Sequence, residues 1–144
     1  MEPKKKKKTI NLIVGLVVGL TVAVFINQII FKAPSFDKQM MSAASQINES
    51  CPIMLDQDTR LDNTMALPEN TFQYNYTLVN MIKDSIDIKG LEEYLKPNIL
   101  NNIKTNPDLK AYRDNKVTMA YFYRDKNGEF VLKIAVTADQ YAEE

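Results

Sequence analysis

The chain of 144 residues contains no histidine and only one cysteine. Without histidine, the Ser-His and Cys-His pairs that activate nucleophiles are excluded, and most transition-metal sites lose their commonest ligand. Cys51 cannot form an internal disulfide, so outside the cytoplasm it is either a free thiol or an intermolecular link between two chains. Simple packing of this small side chain beside Pro52 is the alternative. The composition therefore gives no catalytic signature, and we expect no cofactor and no metal.

Charge is absent from the 22 residues between Ile10 and Phe31. As a helix, this run is long enough to cross the roughly 30 Å core of a bilayer. Flanking lysines remain on the cytoplasmic side of such a span, so residues 1–9 should lie inside and the chain from about Lys32 should be exported. The same lysines should contact anionic lipid headgroups, at roughly 1 kcal/mol each. They are Lys4, Lys5, Lys6, Lys7 and Lys8.

A cleaved signal peptide is the alternative interpretation of this N-terminal pattern. The apolar run is longer than the roughly 7–15 residues of a signal peptide, and no A-x-A cleavage site closes it. Pro34 directly after Ala33 also discourages cleavage, and no cysteine at the end of the run offers a site for a lipid. We therefore predict an uncleaved, single-pass membrane anchor over residues 10–31.

Gly15 and Gly19 form a G-x-x-x-G pair within this predicted span. Small residues at this spacing let two membrane helices approach closely. They predict a homodimer contact, with a plain lipid-facing helix as the alternative.

The exported part is mildly acidic, because it carries 12 basic and 17 acidic residues, a net charge of about −5. Its basic residues are scattered and form no run. Nucleic-acid binding requires clustered lysine and arginine to neutralise phosphates, so this part of the chain is not expected to bind nucleic acid.

A helix is predicted after the span, because Ser35 is a suitable N-cap and Asp37 is favourably placed in the first turn. Cys51-Pro52 should end it near Ser50. Residues 32–50 are therefore either a stalk that holds the domain off the membrane or a helix that packs on the domain. The apolar stripe that favours packing comprises Phe36, Met40, Ala43, Ala44 and Ile47.

Residues 51–144 are predicted to form one α+β domain. Helical spacing, Pro97 and the Asn106-Pro107-Asp108 start signal indicate helices between two pairs of strands. Asn127-Gly128 between alternating residues is a strong hairpin signal. We expect an antiparallel sheet of about four strands with helices on one face, in the order helix-β-β-helices-β-β. The predicted strands cover 53–66, 71–79, 117–124 and 129–137, and the helical region covers 87–115.

Two clusters are candidate sites. Tyrosine combines apolar area with a polar tip, so four tyrosines at matching strand positions predict either core packing or a partner-binding face. Alternating acidic residues with one arginine would share one face of a strand, where three carboxylates suit calcium or acid–base chemistry. The segment lacks the spacing of a calcium loop, so a surface turn with an internal ion pair is the other interpretation. The tyrosines are Tyr74, Tyr76, Tyr121 and Tyr123; the polar cluster is Asp56, Asp58, Arg60 and Asp62.

Several segments resemble a group of small bacterial secreted or membrane-anchored proteins with no assigned activity. The resemblance rests on CPIMLDQDTRLDNT from Cys51, FQYNYTL from Phe72, NPDLK from Asn106 and VTMAYFYRDKNG from Val117. It implies one bacterial envelope domain over most of residues 45–137 and brings no catalytic residues. Members of that group carry further cysteines near positions occupied here by Lys104 and Tyr141.

These observations lead to two hypotheses. The first is a membrane-anchored envelope protein, with its domain outside the cytoplasm, that binds another envelope protein or has a structural role without catalysis. The second is an envelope enzyme or accessory subunit that uses the polar cluster.

Overall fold

The computed structural model describes residues 35–142, which begin with helix α1 (Phe36–Ser50). The Ser35 side chain accepts a hydrogen bond from the backbone N–H of Lys38, as expected of an N-cap. Four apolar side chains of α1 are buried against the sheet. Residues 36–50 are thus a packing helix of the domain and not a stalk. The buried side chains are Met40, Ala43, Ala44 and Ile47.

The sheet has five strands and is mixed. It therefore differs from the antiparallel sheet of about four strands predicted from the sequence. Its spatial order equals its chain order, and every neighbouring pair is antiparallel except the third and fourth strands, which are parallel. The strands are β1 (Ile53–Met54), β2 (Thr59–Leu67), β3 (Thr71–Leu78), β4 (Thr118–Asp125) and β5 (Phe130–Val136).

The parallel pair arises from the helical connection between β3 and β4. This connection returns the chain to the end of the sheet where β3 began, so β4 must run in the same direction as β3. It contains α2 (Ile88–Thr105), which continues through Pro97, and α3 (Lys110–Asp114). Two 3-10 turns, Lys83–Ser85 and Pro107–Leu109, accompany these helices.

The helices cover one face of the sheet and leave the other face to solvent. Apolar residues of α1 and α2 form one core with alternate residues of the strands. We call this side of the sheet the covered face. A last helix, α4 (Ala138–Ala142), joins this layer, and the Tyr141 hydroxyl donates to the Val117 carbonyl at 2.8 Å. The opposite side of the sheet, here called the open face, carries no helix among residues 35–142.

The hairpin between β4 and β5 forms where Asn127-Gly128 predicts it. Gly128 has φ +83°, a backbone conformation that glycine adopts without steric cost. The buried Asp125 side chain accepts from the backbone N–H groups of Asn127 and Glu129. The turn is therefore specified by its own residues.

The predicted cytoplasmic tail with its lipid-contacting lysines, the predicted span 10–31 and the Gly15–Gly19 contact all lie outside the described residues. Between residues 35 and 142, none of the helices combines the length and apolar character needed to cross a bilayer.

Candidate functional site

The four tyrosines do not form a partner-binding face, because they lie on the covered face of the sheet. Their exposed fractions are between 0% and 3%. The rings of Tyr74 and Tyr121 stack at 5.1 Å, and those of Tyr76 and Tyr123 stack at 5.0 Å. Burial raises the pKa of all four hydroxyls. The core-packing interpretation is confirmed and the binding-face interpretation is wrong.

The polar cluster is divided between a turn and a strand, so its four side chains do not share one strand face. Asp56 Oδ1 accepts from the backbone N–H groups of Asp58 and Thr59, both at 2.7 Å, and thereby turns the chain from β1 into β2. The Asp58 carboxylate accepts from the Asn80 amide at 2.9 Å. The two carboxylates thus fix a surface turn, and the predicted single strand over 53–66 becomes a short hairpin.

The other half of the cluster forms an ion pair. Arg60 Nε lies 2.6 Å from Asp62 Oδ1, and Thr77 donates to Asp62 Oδ2 at 2.5 Å. Within residues 35–142, no group of three metal-ligating side chains of the His, Cys, Asp or Glu type could hold an ion. The interpretation as a surface turn plus an internal ion pair is confirmed.

The Cys51 thiol is half-buried, packs against the core and forms no disulfide within residues 35–142. Burial raises its pKa, and the negative charge of Asp62 adds to the rise. A raised pKa reduces the thiolate fraction, so this thiol is a poor nucleophile.

The candidate docking surface is an open groove of about 600 Å³ between α1 and β2. Strand β1 pairs only with Arg60 and Leu61, so within residues 35–142 the rest of β2 has no neighbouring strand on that side and α1 packs beside it. The groove is lined by neutral side chains, namely Met41, Ala44, Ser45, Asn48, Asn63, Thr64, Met65 and Ala66.

Asn48 fixes the width of this groove by joining α1 to the edge of β2. Its amide donates to the Thr64 carbonyl at 2.9 Å, and its oxygen accepts from the Thr64 N–H at 2.7 Å. The Thr64 hydroxyl also donates to the Ala44 carbonyl at 3.3 Å. A side-chain amide thus occupies the backbone groups that another strand would otherwise use.

Two methionines border the groove on opposite sides. Met41 on α1 is 63% exposed and Met65 on β2 is 46% exposed. Methionine is flexible and polarisable, and it is used at surfaces that adapt to a partner. Together with the alanines, Ser45, Thr64 and two asparagines, these side chains line a neutral groove of mixed polarity.

The sequence did not predict this groove. Its one visible signal was that Met41 and Met65 lie off the buried periodicity of their elements, where a polar residue is usual. That Met41 and Met65 line the same groove depends on the packing of α1 beside β2, which periodicity does not specify.

Comparisons with known proteins identify solved structures of similar fold and a family to which the sequence matches. No curated protein matches the sequence. The fold is similar to that of a predicted secreted protein of Pseudomonas aeruginosa, with a TM-score of 0.63 and 10% identity over 76% of this chain and 99% of that one.

It is also similar to two pilotins of the type II secretion system. EpsS of Vibrio vulnificus gives a TM-score of 0.58 and 13% identity over 75% of this chain and 93% of EpsS. AspS of Vibrio cholerae gives 0.54 and 12% identity over 72% of this chain and 90% of AspS. The family model for a domain of unknown function, DUF8479, matches residues 35–132, and the chain belongs to this family.

Proposed function

We propose that this chain is a non-enzymatic module that binds another protein of the bacterial envelope outside the cytoplasm. The observation that carries the proposal is the α1–β2 groove, whose apolar borders are exposed. Exposed apolar surface next to a preformed concavity is typical of protein interaction sites. The fold shared with two secretion-system pilotins supports an envelope role by analogy of fold.

The enzyme hypothesis has no specific observation in its favour. Asp56 and Asp58 hold backbone and amide groups of a turn, and Asp62 holds Arg60 and Thr77.

The proposal includes the membrane anchor predicted from the sequence, with residues 1–9 inside and the domain outside. Protease added to spheroplasts should digest the domain of the full chain while an N-terminal epitope remains protected. Carbonate washing should leave the protected fragment in the membrane. Release of the intact chain by carbonate would contradict the predicted membrane anchor. It would not bear on the proposal that the groove binds a partner.

Site-specific photo-crosslinking in cells tests the groove. A photoreactive residue at position 41 or 65 of the full chain should give one discrete adduct with an envelope protein, identified by mass spectrometry. The same residue at position 89, exposed on α2, should give none. Ser45→Arg places a long side chain in the groove and should reduce the adduct about tenfold, because a steric clash opposes docking.

Ser42→Arg is the matched control, since Ser42 is exposed on α1 but does not line the groove. Equal loss of the adduct in both variants would contradict the groove as the docking site. An adduct between two copies of this chain would mean that the groove mediates self-association and does not bind another envelope protein.

A further inference from the structure

The open face of the sheet carries a second surface, which we call the aromatic–basic patch and define as Phe122, Arg124, Phe130 and Lys133. In the strand register, Phe122 lies opposite Lys133 and Arg124 lies opposite Phe130. The two rings are 5.1 Å apart, and Arg124 Cζ lies 5.2 Å from the centre of the Phe122 ring. The four side chains therefore form one contiguous surface.

This surface is both apolar and positively charged. Phe130 is 48% exposed, although large aromatic side chains are usually buried. Among residues 35–142, neither Arg124 nor Lys133 belongs to an ion pair such as Arg60–Asp62, Lys89–Glu93 or Lys110–Asp114. The patch thus has two uncompensated positive charges beside an exposed aromatic pair.

The rest of the domain has the opposite charge. Residues 35–142 contain 12 basic and 15 acidic residues. On the open face, the Asp62 carboxylate is already neutralised by Arg60, and Glu129 lies in the turn before Phe130. A positive patch on an acidic domain favours a partner of negative charge and disfavours basic surfaces.

Because the predicted membrane anchor precedes α1, the position of the patch favours a protein over the membrane as its partner. The Phe36 ring lies 6.3 Å from Tyr112, which in turn lies 5.2 Å from Phe72, so α1 starts near the beginning of β3. Because β4 is parallel to β3, Arg124 lies towards the opposite end. Arg124 is five positions after Met119, the residue that pairs with Phe72, and this corresponds to about 17 Å along a strand.

We propose that the aromatic–basic patch docks an acidic segment of a partner protein in which carboxylates alternate with apolar side chains. Carboxylates pair with Arg124 and Lys133, while the apolar side chains cover the two phenylalanines. The proposal rests on the proposed function for the identity of the partner as a protein. It adds the chemistry of the segment that is recognised. Between the patch and the groove lies an amide ladder, in which Gln73 donates to Asn75 and Asn75, the register neighbour of Phe122, donates to Asn63.

The test uses the full chain in phosphatidylcholine nanodiscs and a peptide in which glutamate alternates with leucine and phenylalanine. Addition of the peptide should shift the NMR signals of the Phe122 and Phe130 rings, and binding should weaken as NaCl rises from about 0.05 to 0.5 M. Arg124→Glu with Lys133→Glu should weaken binding by about tenfold or more, because like charges then face each other.

Lys38→Glu with Lys96→Glu is the matched control, since it changes the net charge equally at exposed positions on α1 and α2. It should leave binding unchanged. Absence of ring shifts, equal binding of the corresponding lysine peptide, or equal loss in both double variants would overturn the proposal. Shifts of the same rings by nanodiscs containing phosphatidylglycerol, without peptide, would assign the patch to the membrane instead.

The outcome is independent of the groove experiment. Peptide binding at the patch with no crosslink from positions 41 and 65 would contradict the proposed function of the groove alone. A crosslink at the groove with no response of the patch to the peptide would contradict only the patch.

Discussion

Asp125 is a fully buried carboxylate at the end of β4 that holds two loops together. It accepts from the backbone N–H of Lys83 at 2.9 Å and from those of Asn127 and Glu129 in the hairpin turn. The pKa of Asp125 is lowered, chiefly by the Lys83 hydrogen bond and further by the other two N–H groups.

Because its pKa is lowered in the folded state, the contribution of the ionised Asp125 carboxylate to stability depends on pH. It is fully present above the unfolded pKa of about 3.9 and is lost as pH falls through the lower folded pKa. Asp125→Asn should lower the urea midpoint at pH 7 and reduce its decline below pH 4. Asp84→Asn, at an exposed position in the same loop, is the control, and an equal effect of both variants would contradict the role of Asp125.

Tyr141 gives a second prediction for a single residue. Its hydroxyl makes a buried hydrogen bond to the Val117 carbonyl, so Tyr141→Phe should lower the free energy of unfolding by about 1 kcal/mol in urea titrations. Tyr123→Phe is a matched control, because the Tyr123 hydroxyl has no hydrogen-bond partner among the described residues. A larger loss for Tyr123→Phe would contradict this assignment.

Helix α1 depends on one amide for its position beside β2. Asn48→Ala removes both hydrogen bonds to the Thr64 backbone and should lower the free energy of unfolding by about 1–3 kcal/mol. Ser45→Ala, in the same groove, should change it little. Urea midpoints and hydrogen exchange at the Thr64 N–H measure this effect, and unchanged protection of that N–H in Asn48→Ala would contradict it.

The limits of α1 and of the last hairpin were predictable because short local signals specify them. Ser35 and Cys51-Pro52 bound α1, and Asn127-Gly128 specifies the turn between β4 and β5. The parallel pairing of β3 with β4 was not predicted, since period-two alternation shows which face a strand buries but not which strand is its neighbour. The split of residues 53–66 was missed because Asp56 acts through its side-chain hydrogen bonds rather than through apolar spacing.

The same limit explains why the docking surfaces were not predicted as such. Alternation correctly grouped Tyr74, Tyr76, Tyr121 and Tyr123, but whether that face was covered depended on where the helices packed. Met41 and Met65 line one groove only because α1 lies along β2. Sequence periodicity thus predicted the helices and strands, but which face of the sheet is open depends on how the helices pack.

At the scale of the whole molecule, the tyrosine core makes the fold sensitive to alkali. Burial raises the pKa of five core tyrosines above the value of about 10 that they have when unfolded. Above pH 10 the unfolded state therefore holds fewer protons, and the free energy of unfolding should fall as pH rises. The five are Tyr74, Tyr76, Tyr112, Tyr121 and Tyr123.

Absorbance at 295 nm and circular dichroism, followed together, measure this effect. The ionisation of the core tyrosines should coincide with loss of the circular dichroism signal in one cooperative transition. Their ionisation near pH 10 with unchanged circular dichroism would contradict a sealed core.

The parallel pairing within the sheet also sets an order of folding events. The hairpins β2–β3 and β4–β5 close short loops, whereas Thr71 meets Thr118 only after the whole helical connection has formed. In a chain made from its N-terminus, Phe72, Tyr74 and Tyr76 follow α1 but precede α2 and β4. The nascent domain therefore exposes an aromatic surface to chaperones and to aggregation until its last third has been made.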